Sequence, residues 1–330
     1  MMWFEALTGF SEQTPQQVRQ NMCVERNTLK SHINGKMWSC GVLETPTLAE
    51  LRERVAVSGY PIGKMLVREV VANVQQLHAN KANAGALFQV ASQFNLLEMP
   101  SPSVTPERGV GVYEHDHTQG PACAIAAGAG TIYRNYFVSV NGQIGQSAAN
   151  QIDCLADVGA ALQNTESRLW RMQNGYALAS ASGLMEITNR LQACSAPELD
   201  ALRQLLRIGV LWQTQVTLAG CQHMVTQAYC AALPIAYSQL APSLWAAFAQ
   251  LVLEAAYEAT ICAAILNLAQ YGHHKVFLTL LGGGVFGNPS DWILSAIQRA
   301  LTRYRHVALD VAIVSYGSSN HNVQRMLQQW

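Results

Sequence analysis

A three-layer α/β/α fold is predicted by three features of the sequence. Apolar, β-branched runs alternate with capped helical segments along the chain. Half of the 330 residues are hydrophobic, enough to bury a sizeable core. Residues 276–316 read as strand, glycine loop, helix and strand, a βαβ unit whose strands are mostly apolar, as in a sheet covered on both faces.

"MWFEALTGF" opens as a strand. "TPQQVRQNM" starts a helix, with Thr14 at the N-cap and Pro15 at the first helical position. "TLKSHINGKMWSCGVLE" holds two short strands around Asn34-Gly35, a strong hairpin signal. "TPTLAELRERV" is a second capped helix. "MLVREVVANV" and the first half of "ALFQVASQFNLLE" have strand character, and "MPSPSVTPERG" is a proline-rich loop. "TQGPACAIAAGAGTIYRNYF" passes from a turn into a helix of small residues and then an aromatic run. "SAANQIDCLADVGAALQN" and "ESRLWRMQNGYALAS" read as helices, as does 185–208, where Ser195 and Glu198 match a capping box. "VLWQTQVTLAG" is a strand, "TQAYCAALPIAYS" is aromatic-rich, and 244–270 is a long helix. "KVFLTLL", "SDWILSAIQRALTRY" and "VALDVAIVSY" complete the chain as strand, helix and strand. One domain over 1–330 is expected, with a helical insertion at about 145–208.

Composition narrows the function. Lys plus Arg and Asp plus Glu number 21 each, so the net charge is zero, and only 13% of residues are charged. That argues against a nucleic-acid protein held by a basic face. The N-terminus has neither a basic segment nor a long apolar run, which predicts a cytoplasmic protein with no secretion signal. The long helix is apolar, but Gln250, Glu254 and Glu258 mark one polar stripe, so it is expected to be buried in the protein and not in a membrane. The eight cysteines include no C-x-x-C pair and read as reduced core thiols.

The chemistry concentrates at "LTLLGGGVFGNP", 278–289. Gly282, Gly284 and Gly287 fit G-x-G-x-x-G. Glycines let backbone amides approach an anion, and a following helix N-terminus favours negative charge, so a diphosphate is the natural guest. A dinucleotide fold of the dehydrogenase kind does not fit. Only 43 residues follow Gly287, and Asp310 falls inside the last strand instead of at its end. A second turn cluster, "GVYEHDHTQGPACAIA", places Glu114, Asp116, His115 and His117 before another helix N-terminus, a candidate second jaw. A bare glycine turn and a solvated loop are the plain alternatives. His115 and His117 could share a face toward a metal, but no third ligand is nearby and no metal is expected; His273 and His274 read as surface residues.

"YEATICAAILNLAQYGHHKVFLTLLGGGVFGNPSDWILSAIQRAL" resembles the second half of a macrodomain, and "FQVASQFNLLE…YEHDHTQGPACAIA" resembles the first half in its poly(ADP-ribose)-glycohydrolase-like form. The resemblance is to the divergent group that includes poly(ADP-ribose) glycohydrolases and ADP-ribosyl-ubiquitin hydrolases. It implies a macrodomain-like mixed sheet with additional helices, an ADP-ribose ligand and no cofactor. The implied partner is an ADP-ribosylated protein, ubiquitin among the candidates, with neither nucleic acid nor membrane. Two motifs depart from the pattern. "VASQFN" stands where macrodomains carry "NAAN", and "DHTQGPA" stands where glycohydrolases carry paired glutamates.

The expected diphosphate contacts are Thr118, Gln119 and Gly120 in one loop and Gly282, Gly283, Gly284, Val285, Phe286, Gly287 and Asn288 in the other. Gln93 and Asn95 are candidates for ribose hydroxyls, or else cap their strand. Tyr316 is a candidate adenine platform, or else a core tyrosine. Cleavage at the anomeric carbon needs a carboxylate to move a proton. Asp116 is the first choice, with Glu98, Glu114 and Asp291 in reserve, although Asp291 is also a plain helix-start residue. The functions in contention are a hydrolase removing ADP-ribose from protein, a non-catalytic ADP-ribose reader, and an unrelated α/β nucleotide enzyme.

Overall fold

The apolar runs pair into one mixed sheet of seven strands: β1 (Val42–Glu44), β2 (Leu66–Val71), β3 (Leu87–Ala91), β4 (Gly209–Gln215), β5 (Met224–Cys230), β6 (Lys275–Leu278) and β7 (Asp310–Ser315). A computed structural model describes residues 2–218 and 220–330; Ala219, at the tail of the expected strand "VLWQTQVTLAG", lies outside them. The spatial order is β1-β4-β5-β3-β6-β7-β2. β4 runs antiparallel to β1 and β5, and every other pairing is parallel. The central strands are buried along nearly their whole length, polar residues such as Gln89, Thr226 and Gln227 included, whereas the edge strand β2 has only exposed and half-buried residues.

Side-chain alternation along the central strands defines the two helical layers. On β3, Phe88 stacks on His78 of the helix Val74–Ala79, while its neighbour Gln89 bonds Thr260 of the helix Pro242–Tyr271. On β5, Tyr229 lies under Arg134 of the helix Gly128–Tyr136, while Cys230 meets Thr260. One layer therefore contains Val74–Ala79, Gln119–Ala126 and Gly128–Tyr136; the other is built around Pro242–Tyr271, against which Leu48–Val57, Ala181–Ala193, Ala196–Gln204 and Ser290–Arg303 pack.

The polar stripe of the long helix meets arginines from its neighbours. Glu258 is fully buried and pairs with Arg52 at 2.7 Å, Arg299 at 2.6 Å and Arg303 at 3.0 Å, and Glu254 pairs with Arg203 at 2.5 Å. Such a network fixes how helices register, because leaving one member unpaired in the interior is costly.

The helix starts expected from capping signals are present. Thr14 accepts from Gln17, Thr47 and Glu50 form a capping box, and so do Ser195 and Glu198. The Asn34-Gly35 hairpin joins Thr28–Ser31 to Met37–Ser39, and a further strand, Met22–Glu25, completes a small sheet over a second core that includes Phe4, Leu29, Trp38 and Tyr136.

Three expectations are corrected. "MWFEALTGF" is a helix, Trp3–Thr8: Phe4 and Thr8, four apart, share its buried face, and Gly9 ends it at φ +86°. "ESRLWRMQNGYALAS" is a hairpin, Trp170–Gln173 with Tyr176–Ala179, turning at Asn174 (φ +47°) and Gly175 (φ +79°), the paired left-handed residues a tight hairpin needs. The segment at about 145–208 is thus helix and hairpin together. In "SAANQIDCLADVGAALQN" the helix is confined to Ala156–Ala161.

The chain's end is tied to edge strand β2 through Glu69. Its carboxylate accepts from Ser315 Oγ at 2.5 Å, Asn320 N–H at 2.6 Å and Ser319 Oγ at 2.6 Å, and also from the Gln324 amide. Partial burial raises its pKa, but these four hydrogen bonds outweigh burial and hold it at about 2. A lowered carboxylate pKa contributes stability above the ordinary range, and that contribution is lost as pH falls through about 2. Glu69→Ala should therefore raise amide exchange in the helix His321–Leu327 at neutral pH with β3 and β5 unchanged, and acidified wild-type protein should show the same local loss.

Candidate functional site

The cleft begins where two parallel strands part. β3 and β6 pair only at Leu87–Val276 and Phe88–Phe277, and then diverge toward their carboxyl ends. The side chain of Gln119 docks into the gap, accepting from Ala91 N–H at 2.9 Å and donating to Gln89 O at 2.8 Å. Gln89 in turn accepts from Thr279 N–H at 3.2 Å. Above this plug lies a solvent-open cleft of about 190 Å³, at the sheet end where α/β folds bind ligands.

Four segments form its walls. The first is the turn 92–99 after β3. Leu96 sits at φ +64°, and the Gln93 amide braces Met99, accepting from its N–H at 2.8 Å and donating to its carbonyl at 3.2 Å. This fold-back brings Glu98 to the cleft. The second wall is 116–121. Asp116 Oδ1 accepts from Thr118 N–H at 2.9 Å and Thr118 Oγ1 at 2.6 Å, shaping the entry to the helix Gln119–Ala126. Gly120 allows that helix to sit against β3, since a Cβ there would stand 2.0 Å from the Ala91 carbonyl oxygen. Gly120→Ala should cost about 1–3 kcal/mol through overpacking, read as a lowered Tm, and should push Gln119 out of its gap.

The third wall is the glycine loop. Gly282 and Gly287 take φ +74° and +73°. Buried Tyr257 anchors the loop's base, donating to Thr279 O at 2.7 Å and accepting from Leu281 N–H at 2.8 Å. Asn288 closes it by donating to Leu233 O at 2.9 Å and Gly282 O at 3.2 Å. Among the described residues, the amides of Leu280, Gly282, Gly284, Val285 and Phe286 have no hydrogen-bond acceptor, and all five residues line the cleft. Gln119 and Gly120, at the facing helix start, also have unpaired amides. Unpaired backbone N–H groups grouped around one concavity are a chemistry that can take an anion. The cleft lining carries no Lys or Arg, so these amides are its source of positive potential.

The fourth wall is aromatic. Tyr176, Tyr237 and Phe286 form a triangle with ring centroids 5.1, 5.4 and 5.5 Å apart. Tyr176 comes from the unexpected hairpin, and its hydroxyl donates to Met99 O at 2.7 Å. The hairpin's tip rests on the first wall, where the Gly175 carbonyl accepts from Phe94 N–H at 3.0 Å.

Two carboxylates reach the cleft. Asp116 has Oδ2 without a hydrogen bond among the described residues. Glu98, 2% exposed, meets Arg134, which is fully buried: Nη1 lies 3.1 Å from Oε1 and Nη2 3.4 Å from Oε2. Arg134 also donates to Leu96 O and to Thr131 Oγ1 (3.0 Å), with its guanidinium 3.8 Å over the Tyr229 ring. Burial pushes the Glu98 pKa up, and Arg134 pulls it back only part of the way, to about 7.

The cleft thus gathers Gln93, Glu98, Asp116, Thr118, Gln119, Gly120, Gly282, Gly284, Val285 and Phe286 from the sequence candidates. Asn95 is fully buried, holding Leu97 and Gln151. Gly283, Gly287 and Asn288 are not among the cleft-lining residues; Gly283 and Gly287 are exposed, and Asn288 is buried holding the loop closed. Glu114 lies outside the cleft and accepts from Trp3 N–H at 2.8 Å. Asp291 lies in a separate groove with Asn322 and Arg325, so the start of the helix Ser290–Arg303 is not part of the cleft lining. Tyr316 is 80% exposed beyond β7 and outside the cleft. Among the described residues no group of three His, Cys, Asp or Glu side chains is placed to hold a metal ion. Tyr176, Tyr237, Met99 and Thr279 were not anticipated; the signal for Tyr176 was Asn174-Gly175.

No family model matches the sequence, and no curated protein matches it. Solved structures do match. The chain is similar to poly(ADP-ribose) glycohydrolase from Deinococcus radiodurans in complex with ADP-ribose, at 11% identity and a TM-score of 0.47, over 96% of this chain and 97% of that one. It is also similar to poly(ADP-ribose) glycohydrolase from Thermomonospora curvata bound to the inhibitor ADP-HPD, at 11% identity and a TM-score of 0.45, over 96% of each chain.

Proposed function

We propose that the cleft binds ADP-ribose and that the protein is a hydrolase releasing ADP-ribose from modified protein by cleavage at the distal ribose. The observation that carries this reading is the cluster of unpaired amides at Leu280, Gly282, Gly284, Val285 and Phe286, facing Gln119 and Gly120 in a cleft without a cationic side chain. A diphosphate matches that surface, because its charge is met by preorganised N–H groups at little reorganisation cost. The aromatic triangle supplies a stacking surface for a base, and the two carboxylates supply proton transfer for a glycosidic bond. A reader without turnover is the second reading, favoured by the mutual pairing of Glu98 and Arg134, which also suits a purely structural ion pair. The test is calorimetry with ADP-ribose, followed by incubation with mono- and poly-ADP-ribosylated proteins, ADP-ribosyl-ubiquitin among them, with released ADP-ribose measured. Binding with turnover supports the hydrolase, binding without turnover the reader, and absence of binding removes both.

A further inference from the structure

We infer that Glu98 is the acid that protonates the leaving oxygen, that Asp116 is the base that activates water, and that Arg134 is the positioning residue that holds Glu98 at the cleft floor. The inference rests on the hydrolase reading above. It follows from how differently the two carboxylates are held. Asp116 commits one oxygen, Oδ1, to Thr118 and leaves Oδ2 without a hydrogen bond among the described residues, in a cleft open to solvent. An oxygen without a hydrogen-bond donor is available to take a proton from water.

Glu98 is enclosed. Arg134 of the helix Gly128–Tyr136, Tyr113 of the segment Gly111–His115, Tyr229 of β5 and Cys123 of the helix Gln119–Ala126 surround it, and Asp116 shares its cleft. The helix start facing it carries Gln119-Gly120-Pro121 and no acid, and a Cβ at Gly120 would stand 3.2 Å from Glu98 Cγ. Glu98 thus occupies space that a side chain at 120 would otherwise claim. Two carboxylates in contrasting surroundings are the usual way to obtain an acid and a base at one pH. The pKa of Glu98, raised to about 7, agrees with the acid role.

The step balances. As the bond from the ribose anomeric carbon to the leaving oxygen breaks, its electron pair goes to that oxygen, which takes the Glu98 proton. Water adds to the anomeric carbon and gives a proton to Asp116 Oδ2. The products are free ADP-ribose and the protein's unmodified hydroxyl or acid group, and proton exchange with solvent resets both carboxylates.

Arg134 favours the charged form of Glu98, so a weaker cation there should raise the pH at which the acid is lost. The experiment measures ADP-ribose affinity and kcat against pH for the full chain, Glu98→Gln and Arg134→Lys. Glu98→Gln should lose about 10²–10⁴-fold in kcat while binding ADP-ribose within about threefold of wild type. Arg134→Lys should move the alkaline limb of kcat upward by about one pH unit, which a merely structural pair would not do. Should Arg134→Lys fail to fold, Thr131→Val, which removes one partner of the guanidinium, should shift the same limb in the same direction. Turnover retained in Glu98→Gln overturns the acid assignment and leaves the hydrolase reading standing. A limb that stays in place overturns the role of Arg134. Wild-type binding with no turnover on any substrate overturns both the inference and the hydrolase reading.

Discussion

Gly284→Val should weaken ADP-ribose binding by about 100-fold or more while leaving Tm unchanged. The position separates ligand effects from folding effects. A Cβ at Gly284 meets nothing within 4 Å, and the residue is not among the positive-φ glycines, so the folded loop has open space and a permitted backbone for a side chain there. Gly284 lines the cleft among the residues with unpaired amides, so the added side chain takes up cleft space beside them. Charge-assisted bonds from amides to an anion contribute about 1.5–3 kcal/mol each, so displacing the diphosphate from two of them accounts for the loss. Gly282→Ala should behave in the opposite way. Its φ is +74°, and the added Cβ would lie 2.5 Å from Ala232 Cβ and 2.7 Å from Asn288 Nδ2. That variant should lower Tm and lose binding only because the loop is distorted. Calorimetry and thermal unfolding on the pair decide the matter; normal affinity in Gly284→Val would leave the loop a structural turn.

The contrast between those two glycines marks where sequence reading ends. The motif "GGGVFGNP" is legible because few residues other than glycine satisfy such a backbone, but the sequence does not say which glycine faces ligand and which faces Ala232. Local chemistry was readable wherever a few neighbouring residues determine it, as with Thr47 and Glu50 or Ser195 and Glu198. It failed where two local signals competed. "ESRLWRMQNGYALAS" reads as a helix, yet Asn174-Gly175 turns the chain and brings Tyr176 to the cleft. It failed entirely for long-range partners. Nothing in the local sequence joins Glu98 to Arg134, 36 residues later, or shows that Asp291 and Tyr316 are carried away from the cleft. Those placements depend on how β3 and β6 diverge and on which helix start fills the gap.

Asp116→Asn should retain ADP-ribose binding and lose about 10²–10⁴-fold in turnover, the range expected when a positioned base is removed. Asparagine is the informative substitution because Asp116 has two tasks. Its Oδ1 shapes the loop through Thr118, a bond a side-chain carbonyl preserves, while Oδ2 is the oxygen available to water. Asp116→Ala removes both, so it should also lower affinity if the Thr118 turn matters for presenting the Gln119 and Gly120 amides. Removing a negative charge near a diphosphate works in the other direction, relieving repulsion, and should tighten binding in the asparagine variant at low salt. The expected pattern is therefore affinity at or above wild type in Asp116→Asn, lower affinity in Asp116→Ala, and turnover lost in both. Wild-type turnover in Asp116→Asn would show that solvent takes the proton from water and would confine Asp116 to the turn it forms with Thr118.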